Sequence, residues 1–287
     1  MEFTKMTGLG NDYLYINLID SKNQIANKDI PKTSRYMSNR HFGVGADGII
    51  LIEKSNIADF KMRIFNQDGS EAQMCGNGIR GFAKYVYDNK LTTSKNISIE
   101  TLAGIRTVKV YTVNGKVDLV EVNMGKASII KNDDIIPENE KIPIKLEFEI
   151  EGKKLVGTFV SIGNPHFVIV EKNIEKLNIE KIGKVIENDK HFPNRVNVEF
   201  ATIIDRGNIK MRVWERGSGE TYACGTGACA SVKIANFYGL VRENVKVYLK
   251  GGKLDIRINK STDEIYMTGV TAKVFDGTIK NDLVNIF

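Results

Sequence analysis

The chain has 287 residues, 42% of them hydrophobic and 26% charged, which suits an ordinary globular protein long enough for two average domains. Its 41 Lys and Arg against 35 Asp and Glu give a formal charge of +6. That excess is spread along the chain without like-charge blocks, so it reads as a solubilising surface and not as a nucleic-acid site.

No run approaches the ~18–20 apolar residues of a membrane span. The start, Met1-Glu2-Phe3-Thr4-Lys5, lacks the basic-then-apolar organisation of a signal peptide. Three cysteines cannot all pair within one chain, so a secreted disulfide framework is not expected. The simplest expectation is a cytoplasmic enzyme with reduced thiols and no membrane partner. His41, His166 and His191 are far apart and no CxxC or HExxH spacing occurs, so no metal is expected.

In chain order, Gly10-Asn11-Asp12-Tyr13 leads into a β-rich run, Leu14-Tyr15-Ile16. Residues 43–48 match GxGxxG, but the strand-like Ile49 to Ile52 follows where a dinucleotide fold needs a helix, so that reading fails its context. Ile79, Phe82, Ala83 and Val86 fall at i, i+3, i+4 and i+7, which predicts a helix with one apolar stripe beginning near Cys75. Period-2 apolar runs predict strands at 107–113, 117–122, 156–162, 166–170, 209–214, 254–258 and 264–267. The poorly patterned stretch 125–150 reads as a connection plus an early strand of the second half. Ala228 to Tyr238 is apolar on most sides, as a buried helix is.

The chain is written twice. Lys61-Met62-Arg63-Ile64-Phe65 aligns with Lys210-Met211-Arg212-Val213-Trp214 and runs without a gap to Cys75-Gly76-Asn77-Gly78 over Cys224-Gly225-Thr226-Gly227. Segments 96–104 and 244–252 correspond downstream, and Gly10-Asn11-Asp12-Tyr13 answers Gly163-Asn164-Pro165-His166 upstream. Four segments in the same order make duplication the explanation. The expected fold is α+β, with two pseudo-symmetric domains, each a mostly antiparallel sheet wrapped around a central helix. The expected boundaries are 1–122 plus 272–287 for the domain carrying Cys75 and 123–271 for the domain carrying Cys224.

A free thiol titrates near pH ~8.5. Unpaired N–H groups and the positive end of the helix dipole favour its thiolate, and cysteines so placed can fall to roughly pH 3.5–7.5. Glycines at 76, 78, 225 and 227 let backbone amides approach a ligand, and those amides would bind a carboxylate. A pseudo-twofold axis would bring Cys75 and Cys224 face to face, and inverting a stereocentre needs a base on one face and an acid on the other. Cys229, inside the second helix without glycine context, reads as a small buried hydrophobe.

At these residues the sequence resembles the diaminopimelate epimerases, over essentially its whole length. The matching motifs are Lys5-Met6-x-Gly8-Leu9-Gly10-Asn11-Asp12-Tyr13, Arg63-Ile64-Phe65-Asn66-x-Asp68-Gly69-Ser70, Met74-Cys75-Gly76-Asn77-Gly78, Gly163-Asn164-Pro165-His166, Val196-Asn197, Glu215-Arg216-Gly217 and Ala223-Cys224-Gly225-Thr226-Gly227. The resemblance implies interconversion of LL- and meso-diaminopimelate in lysine biosynthesis with no cofactor, pyridoxal phosphate included, by a cytoplasmic homodimer. It makes Cys75 and Cys224 catalytic, Cys75 as the proton donor and Cys224 as the proton acceptor, a directional label for a reversible step. It has Asn11, Asn66, Asn164, Asn197, Glu215 and Arg216 contact the substrate. Backbone of Gly76, Asn77, Gly225 and Thr226 would hold the α-carboxylate, and His166 and Glu215 would tune the thiols. Where some members carry a substrate-contacting Gln, this chain has Gly48.

Read from residue chemistry alone, Asn11 and Asn164 could be turn residues, Arg216 a solvated charge and His166 a structural histidine. Asn197, between apolar neighbours, would be costly there without a partner. Two other readings remain: a racemase for proline or hydroxyproline, which needs no distal-end recognition, and a non-catalytic binding protein, which needs no thiols.

Overall fold

Strict alternation sets the strands exposed on one face, and short continuous apolar runs set those buried on both. The computed structural model describes residues 1–20, 23–129 and 145–280; most of the connection expected within 125–150, and residues 281–287, lie outside these. The chain divides into two compact units, residues 1–122 with 269–287 and residues 123–268.

The first unit runs β1 (Glu2–Gly8), β2 (Asn11–Asn17), α1 (Ile30–Ser38), β3 (Gly48–Glu53), β4 (Phe60–Asn66), β5 (Glu71–Ala72), α2 (Gly76–Asp88), β6 (Asn96–Thr101), β7 (Gly104–Val113) and β8 (Lys116–Lys126). The second runs β9 (Lys145–Ile150), β10 (Lys153–Ser161), β11 (Pro165–Val170), α3 (Ile179–Glu187), β12 (Asn197–Asp205), β13 (Asn208–Glu215), β14 (Gly219–Glu220), α4 (Gly225–Phe237), β15 (Asn244–Leu249), β16 (Gly252–Ile258) and β17 (Glu264–Gly269). The chain then returns to the first unit as β18 (Ala272–Thr278).

The ladders repeat strand for strand. In the first unit β18–β1–β2 is antiparallel, β2–β3 parallel, β3–β4 antiparallel, β4–β6 parallel and β6–β7–β8 antiparallel. In the second, β9–β10–β11 is antiparallel, β11–β12 parallel, β12–β13 antiparallel, β13–β15 parallel and β15–β16–β17 antiparallel. The C-terminal strand β18 thus holds in the first unit the place that β9 holds in the second. Each sheet is mostly antiparallel, as the sequence predicts.

Each sheet packs a helix on both faces, which is why β3 and β12 are buried along most of their length. In the first unit Leu14, Ile16, Ile49, Leu51 and Phe65 form one core with Ile30, Tyr36 and Met37 of α1. In the second, Phe159, Phe167, Ile169, Val198 and Phe200 pack with Ile179, Ile182 and Ile186 of α3. The opposite faces receive α2 and α4. α2 lies against β1, β2, β3 and β7, and α4 against β10, β11, β12, β13, β15 and β16. Ile79, Phe82, Ala83 and Val86 of α2 are fully buried, as their spacing predicts. A 13-residue helix is marginal alone, so these side chains, at ~1.5–3 kcal/mol for each large one, hold it in place. Among the described residues no helix is long and apolar enough to cross a membrane.

Gly183 shows how closely α3 approaches its sheet: a Cβ there would sit 2.3 Å from Cγ of Trp214. A mid-helix Gly→Ala change ordinarily stabilises by ~0.4–1 kcal/mol. Gly183→Ala should instead cost about 1–3 kcal/mol, since the indole must be displaced. Urea unfolding followed by Trp214, the one tryptophan, checks this; a raised midpoint would contradict the packing.

Candidate active site

The two cysteines cap the two inner helices. Cys75 precedes α2 with φ −135° and ψ 118°, and Cys224 precedes α4 with φ −116° and ψ 113°. These are the extended angles of a capping residue, and each side chain turns back on its own helix. Cys75 Sγ accepts the N–H of Gly78 at 3.3 Å, and Cys224 Sγ accepts that of Gly227 at 3.4 Å. The sulfur therefore takes the capping position usually held by a Ser or Asp oxygen. The amides of Gly76 and Asn77, and of Gly225 and Thr226, belong to the same first turns, at the positive end of each helix.

Glycine three residues after each cysteine lets a side chain of the strand behind come close to the helix start. A Cβ at Gly78 would lie 2.7 Å from Ile50 Cδ1, and one at Gly227 would lie 2.6 Å from Glu199 Oε1. Ile50 on β3 and Glu199 on β12 are thus equivalent places in the two units, with different chemistry.

In the first unit, Asn11 opens β2. Its Oδ1 accepts from the Cys75 thiol at 3.4 Å, while its Nδ2 donates to Asp47 Oδ2 at 2.7 Å, which fixes the orientation of the amide. The Tyr13 hydroxyl hydrogen-bonds both the Cys75 sulfur and the Asn11 side chain. Burial, then the negative charge that Cys75 would carry, pushes the Tyr13 phenol well up. Asn77 is buried and accepts from Arg80 at 2.9 Å; Arg80, fully buried, also donates to the Gly76 carbonyl at 3.3 Å. Asn66 ends β4, where its amide donates to Ser70 Oγ at 3.0 Å. Gly48 pairs with Tyr13 across β2–β3, and a Cβ there would fall 2.2 Å from the Phe65 carbonyl oxygen and 3.1 Å from Tyr13 Cε1. This backbone has no room for a side chain at 48, and the Tyr13 ring lies alongside.

The second unit surrounds its sulfur with ionisable groups. His166 is fully buried, with Nε2 3.0 Å from Asn164 Oδ1 and Nδ1 2.7 Å from Glu199 Oε1. An amide oxygen only accepts, so Nε2 donates to it, and Nδ1 and Glu199 share a proton between them. Asn164 Nδ2 donates to Thr226 Oγ1 at 3.3 Å, and that hydroxyl lies 3.4 Å from Cys224 Sγ. Glu215 hydrogen-bonds the Cys224 side chain and accepts from the Thr221 hydroxyl. Asn197 donates to the Pro165 carbonyl at 3.1 Å and accepts the Arg216 N–H at 2.9 Å, so it has the partners its burial demands. The Arg216 side chain is exposed and donates to the Asn194 carbonyl at 2.8 Å.

A helix start does not by itself lower a thiol pKa here. Burial raises the Cys224 thiol well above its ordinary value, and the Glu215 and Glu199 carboxylates raise it further; the bonds from Thr226 and Gly227 only partly oppose this. Glu215 is itself raised, by burial first and then by Glu199. The resemblance already places Glu215 beside the thiols; Glu199 is the carboxylate that neither it nor residue chemistry names. Glu199 stands out in Val198-Glu199-Phe200 for the reason that flags Asn197: a polar side chain in an apolar strand, on the same face. Cys229 is fully buried within α4.

Known proteins match this arrangement. The model of the family described as diaminopimelate epimerase matches residues 3–130 and 158–274. A diaminopimelate epimerase of Methanococcus maripaludis is 49% identical over 281 residues, covering 97% of this chain and 99% of its own. That of Acetivibrio thermocellus is 46% identical over 284 residues, covering 97% and 98%. Among solved structures, a phenazine biosynthesis protein of the PhzF family from Bacillus anthracis aligns with a TM-score of 0.70 at 16% identity, over 98% of this chain and 99% of its own. A probable proline racemase from Agrobacterium radiobacter aligns with a TM-score of 0.69 at 13% identity, over 99% and 94%. The structural matches, at such identities, speak for the fold alone. The family model and the near-half identity across almost the whole chain establish more: this chain belongs to the diaminopimelate epimerase family.

Proposed function

We propose that this protein interconverts LL- and meso-2,6-diaminopimelate in lysine biosynthesis, without a cofactor, using Cys75 and Cys224 as an acid/base pair. The observation that carries the reading is the matched pair of sulfur-capped helix starts, one in each half of a duplicated fold. Family membership supplies the substrate and, by resemblance, a homodimer working in the cytoplasm.

The chemistry follows from what an α-carbon requires. Its proton is weakly acidic, and inversion removes it from one face while delivering another to the opposite face. A thiolate takes the proton and a thiol on the other side gives one; in the reverse direction they exchange roles. Cys224, buried beside Glu215 and Glu199, is held as the thiol in the unliganded protein and so stands ready as acid. That leaves Cys75, capped by Gly78 N–H and bonded by Tyr13, to act as base in the unliganded protein. This is the reverse of the donor label that the resemblance gives it, and one of the two directions of a reversible step. The backbone amides of the helix first turns, at the positive ends of α2 and α4, suit the substrate α-carboxylate, where they would also stabilise the charge that develops as the proton leaves. The far end of the substrate is a second amino-acid group, and Arg216 is suited to its carboxylate.

Replacing either sulfur tests the pair. Cys75→Ser and Cys224→Ser should each lose at least about 10²-fold in epimerisation rate, because a hydroxyl is a far weaker acid than a thiol and is hardly ionised to a base at neutral pH. Normal turnover by either variant would sink the two-thiol mechanism. Both should keep the wild-type unfolding midpoint to within a few degrees, since an oxygen can cap as sulfur does.

The substrate assignment has its own test. Arg216→Ala should raise KM for diaminopimelate by roughly 10- to 100-fold, the worth of a charge-assisted bond. An unchanged KM, or efficient racemisation of proline by the wild type, would favour a racemase without distal-end recognition.

A further inference from the structure

Each unit places a buried side chain at the same position of two equivalent strands, β2 and β11. In the second unit this is His166, which pairs with Asn197 across the parallel β11–β12 ladder. In the first it is Tyr13, which pairs with Gly48 across the parallel β2–β3 ladder. Gly48 and Asn197 are separated by the same spacing as Cys75 and Cys224, and each of the two side chains follows its Gly-Asn pair by the same count. Tyr13 is therefore the structural counterpart of His166. It is 6% exposed, and its hydroxyl bonds the Cys75 sulfur and Asn11. With a side chain excluded at Gly48 by the Phe65 carbonyl, the phenol ring occupies the space beside it.

We propose that Tyr13 is a positioning residue for Cys75: its hydroxyl donates to the sulfur, fixes its rotamer together with Gly78 N–H, and favours its thiolate. The inference rests on the reading of Cys75 as an acid/base group and assigns a role to a residue outside that pair. The proton stays on the phenol, since burial and the neighbouring thiolate both oppose its loss. The other groups about the sulfur are the Asn11 amide held by Asp47, the Tyr15 hydroxyl, which donates to the Gly78 carbonyl at 2.8 Å, and buried Arg80. Asn11 Oδ1, which accepts from the thiol, and Asp47 oppose the thiolate, and Arg80 favours it. Tyr15 is spoken for by its carbonyl, which leaves Tyr13 as the hydroxyl directed at sulfur.

The test is Tyr13→Phe, which keeps the ring and removes one oxygen, alongside Tyr15→Phe. Alkylation by iodoacetamide is followed against pH, with peptide mass spectrometry reading Cys75 and Cys224 separately. In Tyr13→Phe the Cys75 midpoint should move to higher pH by about one unit, a tenfold loss of thiolate below the midpoint, while the Cys224 midpoint stays in place. Its kcat at neutral pH should fall about tenfold with KM within about twofold, because the bond concerns the base and not the substrate. Tyr15→Phe should leave the Cys75 midpoint unmoved. A wild-type Cys75 midpoint in Tyr13→Phe overturns the proposal, whatever the enzyme's activity. Alkylation needs no turnover, so the outcome stands apart from the fate of the two-thiol reading, which the cysteine variants decide.

Discussion

A cysteine sulfur accepting the N–H three residues along, at the start of a buried helix, is the interaction on which the rest of this architecture depends. It fixes the sulfur at the mouth of α2 and of α4, at 3.3 Å from Gly78 N and 3.4 Å from Gly227 N. The capping amides belong to glycines, whose missing side chains leave space for Ile50 and Glu199 of the strand behind. The strand can come so close only because it is buried on both faces, between the inner helix and an outer one. Helix, glycine and two-sided sheet are thus consequences of putting a sulfur at a helix cap, and the chain does it twice.

Duplication made the two frames alike, and subsequent substitution made their electrostatics opposite. Position for position, Ile50 in one unit stands where Glu199 stands in the other, Arg80 where Cys229 stands, Asn66 where Glu215 stands, and Tyr13 where His166 stands. The first sulfur has a buried cation and a phenol about its turn; the second has two carboxylates and a histidine that shares a proton with one of them. On the proposed mechanism such an inequality biases one thiol to hold its proton more firmly than the other. Arg80 and Glu199, both fully buried, contribute to the inequality from behind the sulfurs.

The repeat, the two inner helices and their starting cysteines were legible in the sequence because each rests on local pattern: an apolar stripe at i, i+3, i+4 and i+7, glycines flanking a cysteine, and an ungapped internal match. The outer helices were not. Each has nine residues, and α1 meets its sheet partly through Thr33, Ser34 and Ser38, whose small polar side chains carry no apolar periodicity. Ser34 donates to the Phe65 and Asn66 carbonyls at 3.1 and 2.7 Å, a role visible only once β4 lies beside it. The rise of the Cys224 thiol was equally hidden, since helix-start reasoning points to a fall. What reverses the sign is burial together with Glu199, brought to the sulfur by a ladder 25 residues upstream. Asn197 was read correctly as a partnered polar residue, and the same argument extended two residues would have reached Glu199.

The central claim is that the proton leaving one face of the α-carbon is not the one delivered to the other. It is tested most directly by running LL-diaminopimelate to low conversion in deuterium oxide and following the Cα positions by NMR. Two thiols acting on opposite faces predict that meso product carries solvent deuterium at the inverted carbon from the first turnovers, while recovered LL substrate stays largely protiated. Inverted product that retains the substrate's own proton would mean a single base serving both faces, and would contradict the account.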